Sequence, residues 1–445
     1  MANKLSPIPN GLIIPLKKLE RQTMILRKRS LATALVLAVA ASGAIVAPSF
    51  AAANAANTVT IWNGAETSAK DAQTPIIAAW AKTQGITINV VYKKDLRNEF
   101  IKAVPEGKGP DLMVGAHDWT GQLVGAGVVA PIVVGSLGTK FSKDMKSGFT
   151  VNGKLYGMPI YTENIALVYN KSKAKDPKGM SWEDLLASPR GLTLPWARGG
   201  TANDPYHLSP IATSFGISQY TRDNSGWTKT IGYTGAGADA YAAWLAKNGP
   251  KFIDGGWDQM RCNIQNGGYA ITGPWILGGL AENTSTKLIM PDGSKKDCVG
   301  TAMKPEEVGV ASFPSAGGKT PHQFSGQYGY WQSVKVAGAK NSVNVGKVLR
   351  YIGSADFQGQ FANIKGAERI PANSDALAQL TDKRLAAFGA AGQNAWPMAS
   401  YVFQDTVWSK IGAAEKALVE GTAKGDPATF FASAMKALQA TIDAS

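Results

Sequence analysis

Carboxylates and tryptophans stand beside predicted turns at several points of this sequence. Asp118 follows the short apolar segment Leu112–Val114, and Glu163 lies between two apolar runs of strand type. Trp275 comes directly after another apolar segment, Tyr269–Thr272. A carboxylate accepts hydrogen bonds from adjacent hydroxyl groups, and an aromatic ring covers the apolar face of a pyranose. Together these residue types favour a site for a polyhydroxylated ligand.

Each of these residues also has a structural interpretation. Asp118 could cap a helix that starts near Gly121, and Glu163 could belong to an ion pair. A tryptophan after a strand is more often a core residue than a ligand platform. The binding interpretation is favoured because the pattern recurs: Asp204-Pro205-Tyr206 puts an acid and an aromatic ring in one turn, and Trp408 lies on a C-terminal helical segment.

The sequence does not match the motifs of the common enzyme classes. It contains no H-E-x-x-H, no G-x-S-x-G and no EF-hand loop. Gly318-Lys319-Thr320 matches the end of a phosphate-binding loop, but Phe313 stands where the first glycine is required. With 2 Cys and 3 His in the chain, a Cys-based zinc cluster or a His-rich site is not expected. We therefore expect no metal, no cofactor and no enzymatic activity.

Composition and charge narrow the class of protein. The 445 residues are 44% apolar, which excludes global disorder, and only 18% are charged. The net charge of +14 comes partly from residues 1–53, and the remaining charge is scattered rather than clustered. Nucleic-acid binding needs a basic stripe, so we do not expect a nucleic-acid partner.

The N-terminus has the three parts of a secretory signal. Arg27-Lys28-Arg29 is basic, Leu31–Val46 is apolar, and small residues follow up to Ala56. We expect residues 1–53 to be a signal peptide that is cleaved within about 51–56; an uncleaved anchor is the alternative, and translation starts at Met1 or Met24. No Cys follows the apolar segment, so the sequence predicts an exported protein, periplasmic or at the cell surface, without a lipid anchor.

The predicted export bears on the redox state of the two cysteines. Cysteines of exported proteins usually pair, so Cys262 and Cys298 are expected to form a disulfide. The alternative is two unpaired thiols, one of them buried.

Strand and helix patterns alternate after the N-terminal leader. The predicted elements are strand Val59–Trp62, helix Asp71–Thr83, strand Ile86–Tyr92, helix Asp95–Val104, strand Leu112–Val114 and a helix from Gly121. This alternation is typical of a parallel sheet covered by helices. Asp118 then lies at the carboxyl end of a strand, where open α/β sheets bind ligands. The C-terminal third is predicted to be helical, including Ala399–Val419 and Pro427–Ile442.

In these motifs the sequence resembles the maltose/maltodextrin-binding proteins, the extracytoplasmic substrate-binding subunits of carbohydrate ABC transporters. The resemblance covers about Thr58 to Ile442. It rests on Val59-Thr60-Ile61-Trp62-Asn63-Gly64, Gly109-Pro110-Asp111, Ala116-His117-Asp118, Asn152-Gly153-Lys154-Leu155-Tyr156-Gly157, Leu167-Val168-Tyr169-Asn170-Lys171 and Gly273-Pro274-Trp275.

The resemblance implies an α/β fold of two lobes, the type II periplasmic-binding-protein fold, with mixed, mainly parallel sheets and a three-segment hinge. One lobe would hold about 58–161 plus 314–370, and the other about 165–311 plus 373–445. The ligand would be a maltodextrin-type oligosaccharide that a monomer delivers to a membrane permease. The residues implied in ligand binding are Glu66, Asp118, Glu163, Asp204, Tyr206, Trp275 and Trp408.

Some residues depart from the family's pattern. Gly115 stands where a tryptophan is common, Trp119 where an arginine is common, and Asp204 is a shorter acid than usual. The alternatives are a binding protein for another sugar or a non-sugar solute such as a peptide or polyamine, and a secreted glycosidase. In a glycosidase Asp118 and Glu163 would act as acid and base, about 5–9.5 Å apart. The 12 Trp and the low charge favour the sugar-binding interpretation.

Overall fold

A computed structural model of the protein describes residues 56–64, 71–195, 205–223, 226–364 and 367–444. These residues all belong to one unit of the chain, residues 49–445. The predicted signal peptide, Glu66 and Asp204 lie outside the described residues.

The strands and helices alternate along much of the chain. The strands are β1 (Thr58–Asn63), β2 (Thr87–Tyr92), β3 (Leu112–Ala116), β4 (Val129–Ala130), β5 (Thr150–Val151), β6 (Lys154–Leu155), β7 (Gly157–Asn164), β8 (Ala166–Asn170), β9 (Leu192–Leu194), β10 (Tyr220–Asp223), β11 (Gly226–Ile231), β12 (Ile253–Asp254), β13 (Tyr269–Thr272), β14 (Thr284–Ile289), β15 (Lys295–Gly300), β16 (Val308–Ala311), β17 (Phe324–Ser333), β18 (Ile370–Pro371) and β19 (Trp396–Pro397). The helices are α1 (Thr74–Thr83), α2 (Leu96–Ala103), α3 (Thr120–Gly125), α4 (Lys143–Ser147), α5 (Trp182–Leu186), α6 (Pro205–Ser214), α7 (Gly235–Asn248), α8 (Trp257–Gln265), α9 (Leu277–Leu280), α10 (Ser342–Ile352), α11 (Ala355–Ala362), α12 (Ser374–Leu377), α13 (Lys383–Ala391), α14 (Gln404–Val419) and α15 (Pro427–Asp443).

The first sheet has the strand order β18-β7-β17-β3-β1-β2, with β4 and β19 also paired to β17. β1 runs parallel to β2 and β3, as the strand–helix alternation predicts, whereas β17 runs antiparallel to β3 and β7. The expected mainly parallel arrangement therefore holds for strands joined by helices. It does not hold for the pairs that β17 forms with β7 and β3. The chain returns to this sheet from the second sheet, and β17 runs in the opposite direction.

The second sheet has the order β15-β14-β12-β9-β13-β8-β16. β9 is parallel to β12 and β13 at the centre, and antiparallel pairs lie on both sides. We call the first sheet with the elements packed on it the first lobe, and the second sheet with its packed elements the second lobe. Each lobe has its own core, which includes Ile61 and Tyr330 in the first and Leu167 and Phe431 in the second.

The chain passes between the lobes after β7, after β16 and in the region of β18 and β19. At the first crossing a single residue, Ile165, separates β7 in the first sheet from β8 in the second. Glu163 lies at the end of β7, opposite Gly326 of β17. It therefore stands where the chain crosses from the first lobe to the second.

The two cysteines tie an edge hairpin to the second lobe. Cys262 on α8 and Cys298 on β15 form a disulfide, so the pairing expected from the sequence is present. Ile253 and Leu288 pack around it in a small apolar cluster. Across the described ranges, no helix combines the length and the apolar composition that a bilayer crossing requires.

Candidate functional site

Asp118 lies in a short turn at the carboxyl end of β3. The turn, His117–Trp119, is a 3₁₀ helix that leads into α3, and no side chain caps α3. The His117 ring is buried below it: Nδ1 accepts from the Gln327 N–H at 3.0 Å, so Nε2 carries the proton and donates to the Met398 carbonyl at 3.2 Å. Burial lowers the pKa of His117 to about 4, which keeps the ring neutral and the turn fixed.

The Asp118 carboxylate is poised to accept hydrogen bonds. Its Oδ1 is buried and has no partner among the described residues, and the Trp408 side chain lies beside the carboxylate. Burial raises the pKa of Asp118 to about 6, and Asp405 adds to the shift; Arg97 and the neighbouring Trp408 side chain act against it. Asp118 therefore offers a desolvated acceptor that does not serve as a helix cap.

Glu163 is a partnered buried charge that faces the same region. Its Oε2 lies 2.9 Å from Nε of Arg369 in an ion pair without hydrogen-bond geometry. Burial raises the pKa of Glu163, against the opposing effects of Arg369 and His207. Glu163 Oε1 and the Tyr206 hydroxyl both lie 3.4 Å from where a Cβ of Gly326 would be, so an acid and a phenol from different lobes meet over this glycine.

A row of aromatic rings joins the predicted platforms. Phe324 at the start of β17 lies in the middle, with its ring 5.4 Å from Trp408 and 6.1 Å from Tyr206. Tyr206 in turn contacts His207 at 5.4 Å, and His207 contacts Trp275 at 6.3 Å. Trp275 and Trp408, which lie far apart in sequence, thus belong to one aromatic surface.

Trp275 packs as a core residue does and keeps part of its ring exposed. Its indole is half-buried and packs against the core of the second lobe. A Cβ at Gly273 would lie 2.1 Å from the ring, so this glycine allows the indole to lie flat on the chain. The remaining exposed part of the ring is available to a ligand.

The structure adds residues that the sequence analysis missed. A cavity of about 430 Å³ opens at the carboxyl ends of β1 and β3, and its lining includes Arg97, Trp119, Tyr161, Tyr328 and Arg369. The Tyr161 and Tyr328 rings stack at 4.9 Å, and the Arg369 guanidinium lies 5.4 Å from the Tyr161 ring. This wall pairs flat rings with hydrogen-bond donors.

Two departures from the family's pattern compensate each other in this wall. A Cβ at Gly115 would lie 2.2 Å from the Trp119 ring, so the small residue leaves the space that the ring fills. The aromatic group expected at 115 is therefore supplied from 119. Gly115 and Trp119, each unusual for the family at its position, were the sequence signal that could have located this ring in the cavity wall.

Five of the predicted binding residues are brought together: Asp118, Glu163, Tyr206, Trp275 and Trp408. Glu66 and Asp204 lie outside the described residues. Among the described residues, no three His, Cys, Asp or Glu side chains are arranged to hold a metal ion. The arrangement presents charged acceptors, guanidinium donors and flat rings between two lobes, which is the chemistry of reversible recognition of a polar, ring-shaped ligand.

Comparison with known proteins shows the family to which the chain is similar. A model of the bacterial extracellular solute-binding proteins matches residues 76–391. The maltotriose-binding protein of Pyrococcus abyssi (strain GE5 / Orsay) is 36% identical over 88 residues, 19% of this chain and 19% of that protein. The maltodextrin-binding protein MdxE of Bacillus subtilis (strain 168) is 34% identical over 115 residues, 24% of this chain and 27% of that protein. The chain thus matches about a fifth to a quarter of the length of these relatives.

A solved structure shares the fold over nearly the whole chain. The Thermus thermophilus maltotriose binding protein bound with maltotriose has a TM-score of 0.69 and 20% sequence identity, and the match covers 86% of this chain and 100% of that one. It supports the two-lobe arrangement described above. Because the family model spans well over half of the sequence, this chain belongs to the bacterial extracellular solute-binding proteins.

Proposed function

We propose that this protein captures a maltose/maltodextrin-type oligosaccharide between its two lobes and delivers it to the membrane permease of an ABC transporter. The observation that carries the proposal is that the Asp118 carboxylate, whose buried Oδ1 has no partner in the described part of the chain, lies beside Trp408 of the opposite lobe. A sugar hydroxyl would supply the missing hydrogen bond, and the adjoining rings would cover its apolar face. The ligands named for the similar proteins agree with this chemistry.

The remaining residues take supporting roles in the proposal. Trp275 and Trp408 stack on successive sugar rings, and Tyr206 and Glu163 contact hydroxyls near the crossover. Glu66 and Asp204 extend the polar contacts; Glu66 comes two residues after Gly64 of the cavity wall, and Asp204 directly precedes α6.

Further features of the protein belong to the same proposal. The lobes comprise about 58–161 plus 314–370 and about 165–311 plus 373–445, and they close on the ligand as a monomer. Residues 1–53 direct export, after which the protein acts in the periplasm or at the cell surface without a lipid anchor. The family's extracellular character agrees with this location.

A thermal-shift panel tests the function. Purified protein is heated with glucose, maltose, maltotriose, longer maltodextrins, cello-oligosaccharides, a tripeptide and a polyamine. Ligand binding to the folded state raises the Tm by an amount that grows with the ratio of ligand concentration to Kd, so at equal concentrations the α-linked oligosaccharides should give the largest shift. A shift with the peptide or polyamine alone would support the non-sugar alternative. Chromatography of the same samples detects glycan turnover, which only the glycosidase alternative predicts.

A further inference from the structure

Arg97 and Asp405 form an ion pair between elements that lie 308 residues apart. Arg97 lies in the first turn of α2, and Asp405 lies in the first turn of α14. Nη1 is 2.7 Å from Oδ1 and Nη2 is 2.5 Å from Oδ2, so the contact is bidentate. Leu96 packs in a core cluster of the first lobe, whereas Val407 packs in the core of the second. The pair therefore connects the two lobes directly.

The geometry distinguishes this pair from an ordinary surface contact. Exposed ion pairs mostly contribute little to stability, and bidentate arginine–carboxylate pairs are the exception. The Arg97 side chain is 20% exposed and that of Asp405 is 48% exposed. The guanidinium also lies 5.3 Å from the Trp119 ring, which supports it from the first lobe. Arg97 is thus held in position to receive Asp405.

The pair lies next to the groups that are expected to bind the ligand. Trp408 follows Asp405 by almost one helical turn, and its side chain lies beside Asp118 of the first lobe. Arg97 lines the cavity of about 430 Å³, whereas Asp405 is not among the residues that line it. Contact between Asp405 and Arg97 therefore brings the start of α14, with Trp408, against Asp118.

We propose that the Arg97–Asp405 pair is a latch between the lobes that sets ligand affinity by stabilising their closed arrangement. The inference rests on the proposed function, because it concerns the affinity for the same ligand. When only one arrangement of a protein binds well, the apparent affinity scales with the population of that arrangement. A contact made only when the lobes meet raises this population. Asp405 is then a positioning residue, which acts through Trp408 and Asp118 without touching the ligand.

A charge-exchange cycle tests the latch. Asp405→Asn should weaken maltotriose binding about three- to tenfold in calorimetric titration, and so should Arg97→Glu. The double variant Arg97→Glu/Asp405→Arg should bind more tightly than Arg97→Glu alone, because the pair is re-formed with its charges exchanged. Asp375→Asn, which removes the half-exposed partner of Lys140, is the control and should leave the affinity unchanged. Wild-type affinity in Asp405→Asn, or no recovery in the double variant, would overturn the proposal.

A second readout separates positioning from mere support of the fold. Arg97 on α2, Asp405 and Trp408 on α14 and Tyr328 on β17 are the groups that interact electrostatically with Asp118. Loss of the Asp405 charge should move the acid limb of the affinity–pH profile to lower pH, and Asp405→Glu should restore it. A residue that only supports the fold would lower the Tm and leave this profile in place, which would contradict the inference.

Small-angle scattering without ligand tests the latch independently of the sugar. The Asp405→Asn variant should have a larger radius of gyration than the wild type, and the double charge exchange should reverse the change. Identical curves for the wild type and Asp405→Asn would overturn the latch. Absence of maltotriose binding by the wild type would instead contradict the proposed function, and the scattering curves would still decide whether Arg97 and Asp405 hold the lobes together.

Discussion

At the residue scale, Asp118 combines an energetic cost with a proposed binding role. Its buried Oδ1 lacks a partner in the described part of the chain, and burial raises its pKa to about 6. A group that destabilises the folded protein in this way is typical of a functional site, because ligand hydrogen bonds offset the cost. The neutral His117 beneath it fixes the turn.

We predict that sugar affinity falls in mild acid. Asp118 is a carboxylate well above pH 6 and accepts from hydroxyls; below pH 6 it takes up a proton and loses the charge that strengthens those bonds. Calorimetric titrations with maltotriose between pH 5 and pH 8 should show the decline centred near the pKa of about 6. Asp118→Asn should bind about tenfold more weakly at pH 7.5 and show a flat profile. A wild-type profile that is equally flat would rule out Asp118 as the acceptor.

The same substitution should stabilise the protein without ligand. The folded-state pKa of about 6 exceeds the ordinary 3.8, so the charged carboxylate disfavours folding fully above pH 6 and not below about pH 4. Asp118→Asn should therefore raise the Tm at pH 7.5 and leave it nearly unchanged at pH 4. A lower Tm at pH 7.5 would show that the carboxylate stabilises the turn instead.

Glu163 is expected to matter for stability as well as for binding. Glu163→Gln leaves the Arg369 guanidinium without its charge partner in a contact where the two side chains are only 13% and 19% exposed. The free energy of unfolding should fall by about 3 kcal/mol in urea denaturation. Asp375→Asn, at the half-exposed pair with Lys140, should change it by less than about 1 kcal/mol. Similar values in both variants would contradict the buried character of the Glu163 pair.

Trp275 tests the distinction between site and core. Trp275→Ala should weaken sugar binding more than Asp118→Asn does, because it removes both a stacking face and apolar cover from the site. Since the indole also packs on the second-lobe core, some loss of Tm should accompany it. Unchanged affinity with a markedly lower Tm would identify Trp275 as a core residue only. Calorimetry and thermal unfolding of the same sample decide between the two outcomes.

At the scale of elements, local patterns predicted most of the first lobe. The alternation Val59–Trp62, Asp71–Thr83 and Ile86–Tyr92 corresponds to β1, α1 and β2. The helix was predicted from Asp71, but α1 begins three residues later, at Thr74. Asp71 precedes the helix, and its carboxylate accepts a hydrogen bond from the Thr74 N–H at 3.1 Å. Capping of this kind leaves a visible sequence signal.

Elements held by distant contacts were less predictable. Ala399–Val419 has a continuous helical pattern, yet α14 begins only at Gln404. The residues before it are fixed by long-range bonds, such as the one from the Tyr401 hydroxyl to the Trp227 carbonyl at 2.6 Å. Arg97 and Arg369 could not be identified from the sequence for the same reason. Their ion-pair partners, Asp405 and Glu163 respectively, are distant in sequence, and no local spacing indicates such a pair.

The disulfide is expected to act on stability alone. Cys262 and Cys298 are separated by 36 positions, and in the chain-entropy model a loop of this size stabilises by roughly 3–4 kcal/mol at most. Cys262→Ser/Cys298→Ser should lower the free energy of unfolding by up to that amount and leave maltotriose affinity within about twofold, since the bond packs with Ile253 and Leu288 rather than with the aromatic row. Free-thiol titration of the unfolded, unreduced wild type should find no thiols. Two titratable thiols would contradict the bond.

At the scale of the whole molecule, we expect the protein to close around its ligand. The proposed binding groups come from both lobes, with Asp118 in the first and Tyr206, Trp275 and Trp408 in the second. A ligand that contacts both sets favours the closed arrangement. The family and the shared fold made this architecture predictable from sequence, while the contacts that tune closure had to come from the structure.

Sugar binding through Asp118 is best tested by calorimetric titration of maltotriose into the wild type, Asp118→Asn and the surface control Asp375→Asn. We expect one saturable site per chain and the same affinity in the wild type and the control. Binding by Asp118→Asn should be about tenfold or more weaker. No saturable heat in the wild type, or equal affinity in all three proteins, would contradict it.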